Sequence, residues 1–155
     1  KIKIKLQLMK KILILFFILT IFPAFPVSDD YFLSLKKNKV NVRYGPGFDY
    51  EIKYIYRKVN LPVKVIDKKE NFRKIIDLKK NSGWIHISQL KKSKSFIVTR
   101  NKILFRKPTV FSKPIARIQK GRLLQYKDCK KNWCNVKSAG FNGWVKTDSL
   151  WGKTQ

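Results

Sequence analysis

The chain has 155 residues, 44% hydrophobic and 14% aromatic, with 36 Lys and Arg against 9 Asp and Glu and a formal net charge of +27. That length holds one ordinary domain or two small ones, and the apolar share is enough for a packed core. Such a charge attracts polyanions and anionic membrane surfaces, although Lys-, Asn- and Ile-rich usage also arises from an AT-rich genome with no ligand behind it.

In chain order, residues 1–11 read KIKIKLQLMKK, a basic start. Ile12 to Phe22 is apolar apart from Thr20, and Pro23 and Pro26 then break any helix. The run is too short for a comfortable transmembrane span of about 20 residues. Residues 1–28 are therefore expected to be a secretory signal, cut after Ala24 or Ser28, with an uncleaved N-terminal anchor as the alternative. No Cys follows the apolar run, which argues against a lipoprotein anchor. The expected location is the periplasm or another exported site, or the inner membrane if the leader stays attached.

From Tyr31 onward short apolar runs are split by Lys, Asn, Gly and Pro, with no helical period. Alternation at Val40–Arg43, Leu61–Val65 and Gly143–Lys146 predicts short strands. The pattern then repeats at an offset of 60 to 63 residues. Asp67–Phe72 faces Asp128–Trp133, Gly83–Leu90 faces Gly143–Leu150, and Val42-Arg43 faces Phe105-Arg106. This predicts one unit over 34–91 and a second over 96–151, joined by a short polar linker at Lys91–Ser95. The expected fold is all-β, each unit a small closed barrel of five strands, since closure removes edges that would aggregate. Domains of about 60 residues are marginal alone, so the pair would gain from packing together. Gly45 and Gly47 around Pro46 are expected to supply positive φ in a tight loop. Trp84 and Trp144, each after a Gly in an alternating strand, are expected to fill the barrel cores.

Asn41-Val42-Arg43-Tyr44-Gly45-Pro46-Gly47-Phe48-Asp49-Tyr50 followed by Gly83-Trp84-Ile85 and Leu90 closely resembles the bacterial SH3-like (SH3b) domain family. The likeness spans nearly everything after the leader, and it implies tandem SH3-like β-barrels behind the signal segment. The second unit lacks the Gly-Pro-Gly loop, reading Arg106–Pro114 instead. Its Trp133-Cys134 resembles a variant of such domains from Gram-negative bacteria, and the first unit has Phe72-Arg73 there.

Cys129 and Cys134, the only two cysteines, flank a polar turn between predicted strands. Opposed residues of an antiparallel pair lie within disulfide range, and export favours oxidation. A disulfide is expected; a metal site or a catalytic thiol is the alternative. A metal would need more ligands, and a thiol would need a base, whereas the single His86 lies in the other unit. His86 itself reads as a surface strand residue.

No pair of carboxylates is forced together, and there is no phosphate-binding Gly-Lys-Ser/Thr loop. Cell-wall peptidases of the NlpC type often carry SH3-like domains, but these 155 residues leave no room for their catalytic domain. No enzyme and no cofactor are expected. The resemblance implies a cell-envelope binding module for peptidoglycan or a peptide or protein partner. Its candidate contacts are Arg43, Tyr44, Phe48, Tyr50 and Trp84 in the first unit, and Arg106, Phe111 and Trp144 in the second. Two other readings stand beside it. One is charge-driven binding of an anionic polymer or lipid, without specific nucleic-acid recognition; the other is a purely structural adaptor in an envelope complex.

Overall fold

The computed structural model describes residues 31–152. The leader expected over 1–28 lies outside them. Alternating apolar residues set the strands of the first unit: β1 (Tyr31–Leu35), β2 (Val40–Arg43), β3 (Ile52–Tyr56), β4 (Pro62–Lys69), β5 (Phe72–Ile76), β6 (Ser82–His86) and β7 (Leu90–Lys92). A single 3-10 turn, Ile87–Gln89, joins the last two. The second unit repeats the plan with β8 (Ser95–Val98), β9 (Lys102–Phe105), β10 (Pro114–Ile118), β11 (Leu123–Lys130), β12 (Trp133–Ser138), β13 (Phe141–Lys146) and β14 (Leu150–Trp151). The sheet orders are β3-β2-β6-β5-β4-β1-β7 and β10-β9-β13-β12-β11-β8-β14, the same topology twice. The fold is all-β, as expected. Each unit has seven strands rather than five, because a short strand before Lys36 and another after Gln89 pair with each other. The hydrogen-bonded ladder runs from β3 to β7 and does not join them into a ring; each sheet curls around its own core instead.

Val40, Val42, Val63, Val65, Ile75, Ile85 and Leu90 meet in the first core. Phe96, Val98, Leu104, Leu124, Val136 and Val145 meet in the second. Trp84 and Trp144 are in neither, which corrects the expectation that they fill the barrels. In Ser82–His86 the buried positions are Gly83 and Ile85, so Trp84 faces outward. The glycine decides this phase. A Cβ on Gly83 would collide with the Val42 side chain and lie 3.0 Å from the Arg43 carbonyl oxygen. On Gly143 it would lie 2.7 Å from the Phe105 oxygen and 2.8 Å from Leu104 Cγ. Only a residue without a side chain lets β6 and β13 cross their neighbours this closely, so glycine turns inward and tryptophan outward.

The expected linker is short and polar, but most of it belongs to the flanking strands. Only Ser93 and Lys94 separate β7 from β8, and Ser34, Ser93 and Ser95 are buried. Ser93 Oγ donates to the Ser95 carbonyl (3.1 Å) and Ser95 Oγ to the Asn60 carbonyl (2.6 Å). Ser34 Oγ lies 2.9 Å and 2.8 Å from the other two hydroxyls. With those two protons already committed, Ser34 donates its own hydrogen to this pair. The Tyr126 hydroxyl donates to Ser93 O (3.0 Å), and Phe32 meets Trp151 edge-on at 5.1 Å. Buried hydroxyls without partners would cost about 1–3 kcal/mol each, so this closed network binds the two units at their junction.

The Cys129–Cys134 disulfide is present, its residues directly opposed with Cα atoms 4.0 Å apart. It crosses from β11 to β12. The second unit also holds a buried cation: Lys102 takes the inward register position of Val40 and pairs with Asp148 at 3.0 Å, with exposures of 7% and 59%. The buried ammonium is tolerated because the Asp148 carboxylate pairs with it.

Two outcomes are expected. Gly143→Ala lowers stability in urea denaturation by about 1–3 kcal/mol, the range for overpacking a closed site. The hydrogen bond from Lys102 holds the Asp148 carboxyl below its ordinary value. Its contribution is therefore complete above the unfolded carboxylate value near pH 4 and is lost as pH falls through the lower folded value. With the carboxylate largely exposed, Asp148→Asn removes about 1 kcal/mol at neutral pH. A pH series of unfolding free energies will show the difference from wild type vanish in acid.

Candidate binding face

The outward residues of β2, β6 and β5 form one surface. Across the strands Arg43 faces Trp84 and Trp84 faces Lys74, while Phe72 faces His86. The loop 44–51 folds back over this row because Arg43 holds it. The guanidinium donates to the carbonyls of Tyr50 (2.6 Å) and Phe48 (3.2 Å) and lies 5.5 Å from the Phe48 ring centroid. Phe48 in turn stands 5.2 Å from Phe72 and 5.1 Å from His86, and those two rings are 5.1 Å apart. Phe72 is buried, yet Phe48 remains 64% exposed. His86 Nδ1 accepts from the Ser88 N–H and lies 2.8 Å from its hydroxyl. In the neutral ring the proton is then on Nε2, available as a donor.

Tyr50 packs on the loop rather than pointing away from it. A Cβ on Gly45 would land within its ring, and one on Gly47 would strike the Asp49 carboxylate. Neither glycine has positive φ, which corrects the sequence expectation: the Gly-Pro-Gly segment is small to let Tyr50 lie flat. Tyr44 is exposed, with the Lys53 ammonium 5.5 Å from its ring centroid.

In the second unit the partner of Trp144 is Phe105. Phe105 thus holds the position of Arg43, and the sequence alignment of Arg43 with Arg106 is off by one. Trp133 faces Lys146, as Phe72 faces His86. Phe105 meets Trp133 edge-on at 5.6 Å, and the Lys146 ammonium lies 6.0 Å from the Trp133 ring. Arg106 and Phe111 sit on the loop beyond, with Phe111 95% exposed. The structure therefore brings together Arg43, Phe48 and Trp84 with Phe72 and His86, and Trp144 with Phe105, Trp133 and Lys146. It leaves Arg106 and Phe111 apart. Phe72, His86, Phe105, Trp133 and Lys146 were not among the candidates; hairpin register is the signal that places them.

A family model described as bacterial SH3 domain matches residues 36–92 and 100–152. The chain belongs to the bacterial SH3 domain family. A comparison with curated proteins finds no match. Among solved structures the two SH3 domains are similar to NlpC2 from Trichomonas vaginalis, at 14% identity and a TM-score of 0.37, over 81% of this chain and 49% of that one. They are similar also to NlpC1 from the same organism, at 12% identity and a TM-score of 0.37, over 84% and 48%. This chain spans about half the length of those proteins, and the likeness is too distant to bear on function.

Arg43→Ala is expected to cost about 1–3 kcal/mol, since its hydrogen bonds carry charge, and to speed hydrogen exchange at Tyr44, whose N–H donates to the Glu51 carbonyl at 3.2 Å. Phe48→Ala is expected to cost less than about 1 kcal/mol, because most of the ring is already in water. Denaturation and exchange measured on both variants separate the loop's clamp from its exposed ring.

Proposed function

We propose that this tandem SH3 chain is an exported, non-catalytic binding module of the cell envelope. It holds peptidoglycan, or a peptide of an envelope partner, on the outer face of β2, β6 and β5. Bacterial SH3 domains are typically binding modules, which supports the coarse reading. The observation that carries the finer one is Phe48: a large ring left in water, braced by Phe72 and His86 and with a guanidinium against it. Exposed aromatic rings beside fixed cations suit the short, carboxylate-bearing peptides of a cell wall, by apolar contact on the ring and charge-assisted hydrogen bonds at the acid. The second domain offers a related surface at Phe105, Trp133 and Lys146, with a lysine in place of the histidine.

The net charge of +27 favours a second reading, attraction to any anionic polymer or lipid surface. Salt separates the two, because charge-driven binding falls steeply as ions compete. A pull-down on purified sacculi at low and high salt tests the proposal. Retention is expected to survive high salt and to be lost in Phe48→Ala/Trp84→Ala while the melting temperature changes little. Retention that disappears with salt alone leaves the charge reading, and no retention leaves a protein partner or an adaptor role.

A further inference from the structure

Because the two domains share one topology, their registers can be compared position by position, and one corner differs in a directed way. In the first domain that corner is filled and closed. Tyr54 and Tyr56 meet edge-on at 5.2 Å, and the Tyr56 hydroxyl donates to Asp77 Oδ2 at 3.0 Å. The buried Asp77 also accepts from the N–H groups of Lys79 and Asn81, both at 2.9 Å, pinning the β5–β6 turn. By strand register, Ala116 holds the place of Tyr54, Ile118 that of Tyr56, and Ser138 that of Asp77. All three replacements are smaller, and the one acid is gone.

The same registers convert apolar positions to cations. Arg117 stands where the first domain has Ile55, and Lys137 where it has Ile76. Arg122 replaces Leu61, as the matching bonds from Leu35 N to Leu61 O (3.0 Å) and from Val98 N to Arg122 O (3.1 Å) show. The result is a pair of adjoining hollows of about 340 and 470 Å³ that share Arg122, Ser138 and Ala139. No Asp or Glu lines either one. Among the described residues none of the three cations is in an ion pair; the pair seen there is Lys102 with Asp148. Leu104 and Ile118 line the smaller hollow, with the half-exposed Phe141.

We infer that these hollows, between β10, the β10–β11 turn and the end of β12, bind a phosphate group carried on an organic ligand. Arg117 and Arg122 line the smaller hollow and Arg122 and Lys137 the larger, so each hollow has two cations and no acid, a donor set that suits a tetrahedral oxyanion with several acceptor oxygens. The volume is that of a small-ligand site, and the apolar wall gives the attached carbon skeleton a surface to rest on. The inference shares no residue with the aromatic face and does not depend on its function.

The test is titration of the full chain with inorganic pyrophosphate and with vesicles containing a phosphomonoester lipid, by calorimetry or tryptophan fluorescence. Arg117→Gln/Arg122→Gln is expected to weaken binding at least about tenfold. Ser138→Asp, which restores the first domain's acid, is expected to weaken it similarly. Lys68→Gln/Lys69→Gln removes the same charge elsewhere and is expected to leave binding within about twofold, with melting curves showing all variants folded. Variant-sensitive binding of pyrophosphate points to a soluble phosphate, and variant-sensitive binding of vesicles alone points to a lipid headgroup. Equal losses in the arginine and lysine variants, or binding of neither probe, would overturn the inference.

Discussion

The close crossing of β6 over β2, and of β13 over β9, is the constraint on which both domains rest. Each crossing brings a backbone carbonyl within contact distance of a glycine that has no room for a Cβ. Since side chains alternate along a strand, fixing that glycine inward also fixes Ile85 and Val145 in the cores and Trp84 and Trp144 on the surface. Arg43 and His86 then share the outer face with Trp84, and the aromatic cluster follows from their register. A packing requirement in the core thus determines what the surface presents.

The two domains show how one frame takes different contents. Topology and hairpin register are the same, but side chains at matched positions are not. A core valine in the first domain is a lysine in the second, which its ion pair with Asp148 makes tolerable by compensating the buried charge. A guanidinium that clamps a loop in the first is a phenylalanine packed on a tryptophan in the second. A corner closed by two tyrosines and an aspartate becomes an open, cationic hollow. These exchanges leave the strands in place, because they alter side-chain volume and charge at sites where the ladder does not depend on them. The buried serines at the junction do the reverse work of holding the two frames together.

Much of the fold was legible in the chain. Alternation marked the strands, the repeat marked the two units, and Gly-Pro-Gly with Gly-Trp marked the family. The cysteine pair followed from the hairpin between its members. The phase of the Gly-Trp strand was not legible, since alternation says that neighbours face opposite ways without saying which way is inward. The burial of the linker serines was not legible for a similar reason: serines look polar in sequence, and only three-dimensional placement gives them partners that make burial tolerable.

The sequence by itself determined the all-β character, the duplication and the hairpin that sets Cys129 opposite Cys134, because those depend on local periodicity and short spacing. Only the tertiary structure decided which aromatic residues stand together, which arginine is committed to its own loop, and where the second domain is hollow. Those outcomes depend on contacts between strands far apart in the chain, whose register follows from core packing rather than from any local run of residues.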